Sequence, residues 1–345
     1  MGMADATGMG RSDILAVEGL CKHFTVTKGF IKKRTVSNLR AVDQVSFRVA
    51  RGETLGLVGE SGCGKSTLGR CLVRAYAPTA GRIRFRFADG TETDFSGMNR
   101  KQLRPYRSYC QMIFQDPYGS LDPRMTVLDV IGEPLYIKKT DRDLMVQRVR
   151  ELMQVVGLNP QYMNRYPHAF SGGQRQRIAI ARALATSPEF IVADEPVSAL
   201  DVSVQAQVIN LLEDLQREFH LTILLVSHDL SVVEHVSNRV AVMYLGRLVE
   251  LAPTRKVFSR PLHPYTEALL GSIPRISKDG RKHRVRLEGE VGSSLNLPPG
   301  CPFHPRCRYA AEICRKEAPE ERILEDGSIV SCHKAGELSL QPYAV

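Results

Sequence analysis

The chain has 345 residues, of which 43% are hydrophobic and 24% charged, and its formal charge is +10. This balance excludes a fibrous or wholly disordered chain, and the length predicts one large domain with an appendage, or two domains. The positive charge is diffuse: only Lys28–Arg40 and Arg275–Arg286 rise above it, and neither interleaves the aromatics of a base-stacking surface, which argues against nucleic acid.

From the N-terminus, Met1–Asp13 is small and polar without an apolar segment, so residues 1–12 are expected to be a flexible tail and no secretory signal. Residues 14–50 alternate as strands do, with Leu15, Val17 and Leu20 early and Val45, Phe47 and Val49 late, around a basic glycine-containing insertion. That pattern predicts a β-hairpin with a long exposed loop. Thr54–Val58 is a short apolar strand that passes through a glycine-rich turn into a helix from about Lys65 to Arg74. Helical periodicity (Leu144, Val149, Leu152, Met153, Val156) dominates residues 100–185, whereas Phe190–Ala193 and Thr222–Val226 are compact buried strands. Strands separated by helices predict a parallel sheet with a helical insert. The longest apolar runs, such as Leu221–Val226, are far short of the ~20 residues that span a bilayer. Past Pro261 the chain turns rich in Pro, Arg and Cys, and a domain boundary is expected there.

Gly59-Glu60-Ser61-Gly62-Cys63-Gly64-Lys65-Ser66-Thr67 carries the G-x-x-x-x-G-K-[ST] pattern between a strand and a helix. The glycines let backbone N–H groups turn inward around phosphates, the helix offers its positive end, Lys65 reaches the terminal phosphates, and the Ser66 hydroxyl ligates Mg²⁺. Cys63 sits where the turn asks only for a small side chain, and no redox role is assigned to it. Phe190–Ala193 ends in Asp194-Glu195. Downstream of a phosphate loop, Asp194 can hold Mg²⁺ through its water shell and Glu195 can polarise an attacking water; standing alone, roughly one such pair in three would be simple surface charge. Ser171-Gly172-Gly173-Gln174 opens a helix and so forms a second anion site, about a hundred residues from the first. The separation suggests that it serves a different nucleotide.

Taken in order, Gly59–Ser66, Gln115, Ser171–Gln174, Asp194-Glu195, Ser198–Asp201 and His228 resemble the full motif set of ABC-transporter nucleotide-binding subunits, over nearly the whole chain. The resemblance implies an α/β P-loop NTPase: a RecA-like core with a mixed, largely parallel sheet over residues 13–260, an antiparallel β subdomain, and an inserted α-helical subdomain at about 116–185. It implies ATP sandwiched in a head-to-tail dimer between one subunit's phosphate loop and the other's Ser171–Gln174 turn. Gln115 would sense the γ-phosphate and join Ser66 and Asp194 at Mg²⁺, His228 would contact the γ-phosphate, Asp201 would belong to the dimer-contacting loop, and Phe24 would stack on adenine. Gln115–Arg124 is then expected to line the groove that accepts a permease helix.

Pro261–Thr266 and the segment after it narrow the resemblance to the F-type ATPase subunit of dipeptide and oligopeptide uptake systems. Partners implied are a sister (D-type) ATPase, two transmembrane permeases and, indirectly, an external substrate-binding protein, with the chain peripheral on the cytoplasmic face of the membrane. Selection belongs to the permeases and the binding protein, which leaves glutathione, a nickel chelate or an opine as alternative cargoes. A soluble ABC ATPase acting on nucleic acid and an Fe–S electron-transfer protein are the competing classes; the first commonly fuses two ATPase units where one is present here, and the intact hydrolytic set argues against the second. In residues 261–345, Cys301-x5-Cys307-x6-Cys314-x17-Cys332 places four thiols in 32 residues, a metal-binding density in a reducing compartment. The wide spacing lacks the tight pairs of a zinc ribbon and tilts towards a structural [4Fe-4S] cluster, with Zn²⁺ or unligated thiols left open.

Overall fold

The computed structural model describes residues 9–10, 12–28, 34–116, 118–273 and 292–343. Most of the proposed N-terminal tail, the tip of the first basic cluster and all of Arg275–Arg286 lie outside the described residues. Strands β1 (Asp13–Lys28) and β2 (Arg34–Ala50) are sheet neighbours, as the alternation predicts, and form a four-stranded sheet in the order β2-β1-β4-β5 with β4 (Ala80–Arg86) and β5 (Glu92–Asp94). Between them β3 (Thr54–Val58) leads through the glycine turn into α1 (Lys65–Leu72). The helix stops short of Arg74, which turns left-handed at φ 56°. Next come α2 (Arg100–Leu103), β6 (Cys110–Ile113), α3 (Val127–Ile137), α4 (Arg142–Val155), α5 (Gly172–Leu184), β7 (Phe190–Asp194), α6 (Val202–Glu218) and β8 (Thr222–Val226). The final third carries α7 (Leu230–Val236), β9 (Arg239–Tyr244), β10 (Arg247–Pro253), α8 (Thr254–Ser259), α9 (Pro264–Gly271), α10 (Glu312–Lys316), β11 (Arg322–Ile323) and β12 (Ile329–Val330).

Two compact units emerge from the contacts: Met1–Ala16, Arg48–Glu53 and Arg84–Val226 in the first, and Val17–Phe47, Thr54–Ile83 and Ser227–Val345 in the second. In the first, β6, β7 and β8 pair in parallel, with Cys110 opposite Phe190 and Phe190 opposite Thr222. Every residue of β7 and β8 is buried, as expected for near-continuous apolar strands covered on both faces. β6 is a strand inside the stretch, residues 100–185, whose periodicity is mainly helical. Four residues are too few to register a period of their own, and it is the ladder to β7 that makes them a strand. The helical insert follows the periodicity: α3 packs on α4 and α5, burying Val149, Leu152 and Met153. Thr126 and Asp141 cap α3 and α4 with their side-chain oxygens. Phe85, Phe87 and Phe95 form an aromatic core with Tyr109 and Phe190, the shortest centroid separation being 4.6 Å between Phe87 and Tyr109.

In the second unit, β3 pairs in parallel with β9, and the ladder continues antiparallel through β10 and β12 to β11. β12 and β11 belong to the cysteine-rich segment, so main-chain hydrogen bonds tie that segment to β10. Glu250 on β10 makes a second tie. It is 1% exposed, and its carboxylate accepts hydrogen bonds from Leu262 N (3.0 Å), His263 N (2.9 Å) and Thr266 Oγ1 (2.6 Å), fixing the start of α9. Burial outweighs these donors and pushes the carboxyl up to about 7. His263 is driven down to about 3 by its own burial, so it stays neutral and accepts Tyr265 N at Nδ1.

A carboxyl whose folded value exceeds its unfolded one stabilises the fold below about pH 4.5, and that contribution is lost as pH rises to about 7. The loss is worth about 3 kcal/mol. Urea unfolding should therefore show the parent losing about 3 kcal/mol relative to Glu250→Gln over that window; a difference independent of pH would mean that the three donors keep Glu250 ionised.

Candidate functional site

In the second unit, β3 delivers the chain into Gly59–Ser66 and α1 receives it. Gly59 has φ 151°, and a Cβ there would lie 2.2 Å from Met243 O; Gly64 has φ 108°, and its Cβ would lie 2.0 Å from Ala41 O. No side chain fits at either position, so the loop is drawn tight against its own scaffold. Lys65, 5% exposed, donates from Nζ to the carbonyls of Gly59 (2.7 Å) and Glu60 (2.9 Å). Two neutral carbonyls compensate a buried ammonium only partly, which leaves a cation ready for an anionic ligand. The N-cap of α1 is Gly64, which has no side chain to cap the helix, as suits a helix end that receives phosphate. Burial raises the Cys63 thiol despite the adjacent Lys65, so it stays uncharged.

His228 is exposed in the same unit. Its neighbour Ser227 donates N–H to Leu57 O at 3.2 Å, which ties the backbone beside His228 to the strand that enters the phosphate loop. Phe24 is half-buried, edge-on to Tyr76 with centroids 5.7 Å apart, and has Lys22 Nζ 4.8 Å from its centroid.

In the first unit Asp194 is fully buried at the end of β7. Glu195 follows in the left-handed region at φ 46°, its N–H donating to Val226 O at 2.9 Å. Such a backbone costs on the order of 1–3 kcal/mol and persists where surrounding structure imposes it, commonly at functional sites. Gln115 Nε2 donates to Glu195 Oε2 at 2.7 Å. The register explains the pair: Ile113 lies opposite Ala193 in the β6–β7 ladder, and Gln115 and Glu195 each stand two residues further on. Ser171 caps α5 by accepting Gln174 N at 3.3 Å, while Ser171 N donates to Gln174 Oε1 at 3.0 Å. A Cβ on Gly173 would meet Val204 Cγ1 at 2.4 Å, and one on Gly172 would lie 3.4 Å from Leu200 Cδ2. The turn therefore needs glycine at 173 because the start of α6 packs directly on it, an adjacency that sequence spacing does not reveal. Asp201 itself is exposed.

All four C-terminal cysteines line one pocket, together with His263, Phe303 and His333. Cys301 and Cys314 are buried, and Cys307 and Cys332 are half-buried. Burial, with the other three sulfurs adding to it, pushes the Cys301 thiol up to about 11; neutral thiols in such a pocket need a metal to become thiolates. Among the described residues the set of three metal-capable donors lying within 4.8 Å of one another is Cys21, His23 and Asp43. Asp43 is already engaged by Arg247 at 2.7 and 2.9 Å.

Two residues distant in sequence reach the phosphate loop at Glu60, one of them within the Pro261–Thr266 run. Tyr265 Oη accepts Glu60 N at 2.9 Å, and Arg306 grips the Glu60 carboxylate. They lie 205 and 246 residues from Glu60, beyond any local pattern.

Comparison with known proteins agrees with this geometry. The ABC transporter family matches residues 42–198, and the oligopeptide/dipeptide transporter C-terminal region matches residues 249–314. The oligopeptide transport ATP-binding protein AppF of Bacillus subtilis is 49% identical over 95% of this chain and 99% of its own length. The di/tripeptide transport ATP-binding protein DppF of Pseudomonas aeruginosa is 47% identical over 93% of this chain and 98% of its own. Among solved structures, the dimeric ATP-binding cassette MJ0796 in a post-hydrolysis state with ADP and Pi superposes with a TM-score of 0.59 at 27% identity, covering 70% of this chain and 99% of that one. A tight phosphate loop with its buried lysine, a glutamine-held glutamate, a capped Ser-Gly-Gly turn and near full-length relatives lead to one conclusion: this chain belongs to the ABC-transporter family as an ATP-hydrolysing, ATP-binding subunit with the oligopeptide/dipeptide type of C-terminal region.

Proposed function

We propose that the chain powers import of di- or oligopeptides from the cytoplasmic face of the membrane, paired with a sister ATPase beneath two permease subunits that receive cargo from an external binding protein. The observation that carries this reading is the union, in one chain, of the ATPase motifs with the C-terminal region matched at residues 249–314. No helix among the described residues is long and apolar enough to cross a membrane, which suits a peripheral subunit.

In this role Lys65 and the loop N–H groups neutralise the β- and γ-phosphates, and Phe24 stacks on adenine. Ser66, Gln115 and Asp194 would hold Mg²⁺, which would supply neutralisation of the phosphate charge. Glu195 polarises the attacking water. The hydrogen bond from Gln115 supports this role, since it fixes the direction of the Glu195 carboxylate. His228 contacts the γ-phosphate. Ser171–Gln174 and Asp201 face the nucleotide on the sister subunit's phosphate loop, and Gln115–Arg124 receives a permease helix. The four C-terminal cysteines would hold a [4Fe-4S] cluster as a structural staple; the pocket they share, and a sequence spacing without the tight pairs of a zinc ribbon, support this reading.

Replacing Glu195 by Gln should leave Mg-ATP affinity within about threefold of the parent while phosphate release by the assembled complex falls by at least about 100-fold. Near-normal turnover would remove Glu195 from the chemistry. Chain purified without oxygen should carry about four iron and four sulfide, with absorbance near roughly 400 nm; stoichiometric zinc without sulfide would replace the cluster with a single ion.

A further inference from the structure

Glu60 places a carboxylate inside a loop built to hold a polyanion, a like-charge arrangement that needs compensation. Within its own unit the residue is held from three directions. Arg306 Nη1 and Nη2 donate to its two carboxylate oxygens at 2.7 and 2.9 Å, a two-pronged pair in which the arginine side chain is 5% exposed and the glutamate 19%. The Glu60 N–H donates to Tyr265 Oη, and its carbonyl accepts Lys65 Nζ. The guanidinium of Arg306 lies over the Tyr244 ring, 5.9 Å from its centroid. Tyr244, Tyr265 and Phe303 pack ring on ring beneath it, with centroids 4.6 to 5.4 Å apart.

Arg306 comes from the cysteine-rich segment. It closes the short turn His304–Arg306, its N–H donating to Phe303 O at 3.0 Å, and the next residue is Cys307. The start of that turn is pinned in the same way, since Cys301 N donates to Cys314 O at 2.8 Å and His304 N to Cys301 O at 3.0 Å. The position of the guanidinium is therefore set by the backbone that carries the cysteines.

We propose that Arg306 is a positioning residue for nucleotide binding, through which the four-cysteine segment neutralises Glu60 and holds the phosphate loop open for a triphosphate. The proposal rests on the ATP-binding role of that loop. Arg306 acts on Glu60 and the Tyr244 ring, and neither belongs to the hydrolytic set of Gln115, Asp194, Glu195 and His228, so its loss is a loss of affinity and not of chemistry. Without it an uncompensated carboxylate stands beside the bound phosphates, and the loop loses its two-pronged anchor. Lysine at this position restores the charge without the fork.

The test uses the full chain with Mg²⁺ and a fluorescent ATP analogue for affinity, and the assembled transporter for steady-state hydrolysis. Arg306→Ala should raise the Kd and the KM for ATP by about tenfold or more, with kcat within about twofold of the parent; Arg306→Lys should recover part of the loss. Adding Glu60→Gln to Arg306→Ala should restore most of the affinity, because the second change removes the carboxylate that the first left bare. A purely structural arginine would not show that rescue. Protease resistance of the C-terminal segment reports whether each variant is folded. Parent-like affinity in Arg306→Ala, or failure of Glu60→Gln to rescue a folded Arg306→Ala chain, would overturn the clamp and leave the ATP site standing. A parent chain that binds no Mg-nucleotide would overturn both.

Discussion

A lysine ammonium buried in a loop of backbone amides is the constraint on which the rest of the molecule depends. Lys65 is nearly inaccessible and its ammonium meets neutral groups, the carbonyls of Gly59 and Glu60 and the Cys63 sulfur, so its charge suits an anionic ligand. The tightness that makes this possible comes from contacts outside the motif. Met243 O on β9 and Ala41 O on β2 approach where a side chain would begin at Gly59 and Gly64, and the sheets therefore mould the loop as much as its own glycines do. β3 and β9 are the ladder that brings Met243 there.

The Glu195 carboxylate is placed by a different device. A parallel ladder advances its strands in step, so the residues just beyond β6 and β7 emerge level with one another, and Gln115 meets Glu195 without any loop having to search for it. The left-handed backbone of Glu195, held by its bond to Val226 O, then turns the side chain out of a strand whose other residues are buried. Strain and register act together: one sets the level and the other the direction.

The cysteine-rich segment is joined to the nucleotide-binding part by three kinds of bond. Main-chain hydrogen bonds carry β12 onto β10, the buried Glu250 carboxylate ties β10 to the start of α9, and Arg306 reaches Glu60. These polar ties add to the apolar packing of the segment, in which Tyr265, Leu270, Phe303 and Val330 are buried. They also give the segment a role in nucleotide binding beyond that of an appended staple.

The chemistry was legible from the residues because it is local. Nine consecutive positions suffice to write a phosphate loop, and an apolar run ending in two acids declares a strand with carboxylates at its tip. The strands β3, β7 and β8 and the helices of the insert could be read for the same reason, since their periods lie within a window of a few turns or pleats. β6 could not, being four residues long and defined by its neighbour. Nor could the meeting of Gln115 with Glu195, of Gly173 with Val204, or of Glu60 with Tyr265 and Arg306, where partners separated by as many as 246 residues are chosen by register and packing. Composition and spacing alone determined which groups this protein possesses; only the tertiary structure decided which of them touch, because contact at such separations is settled by the closure of the chain and leaves no periodic trace along it.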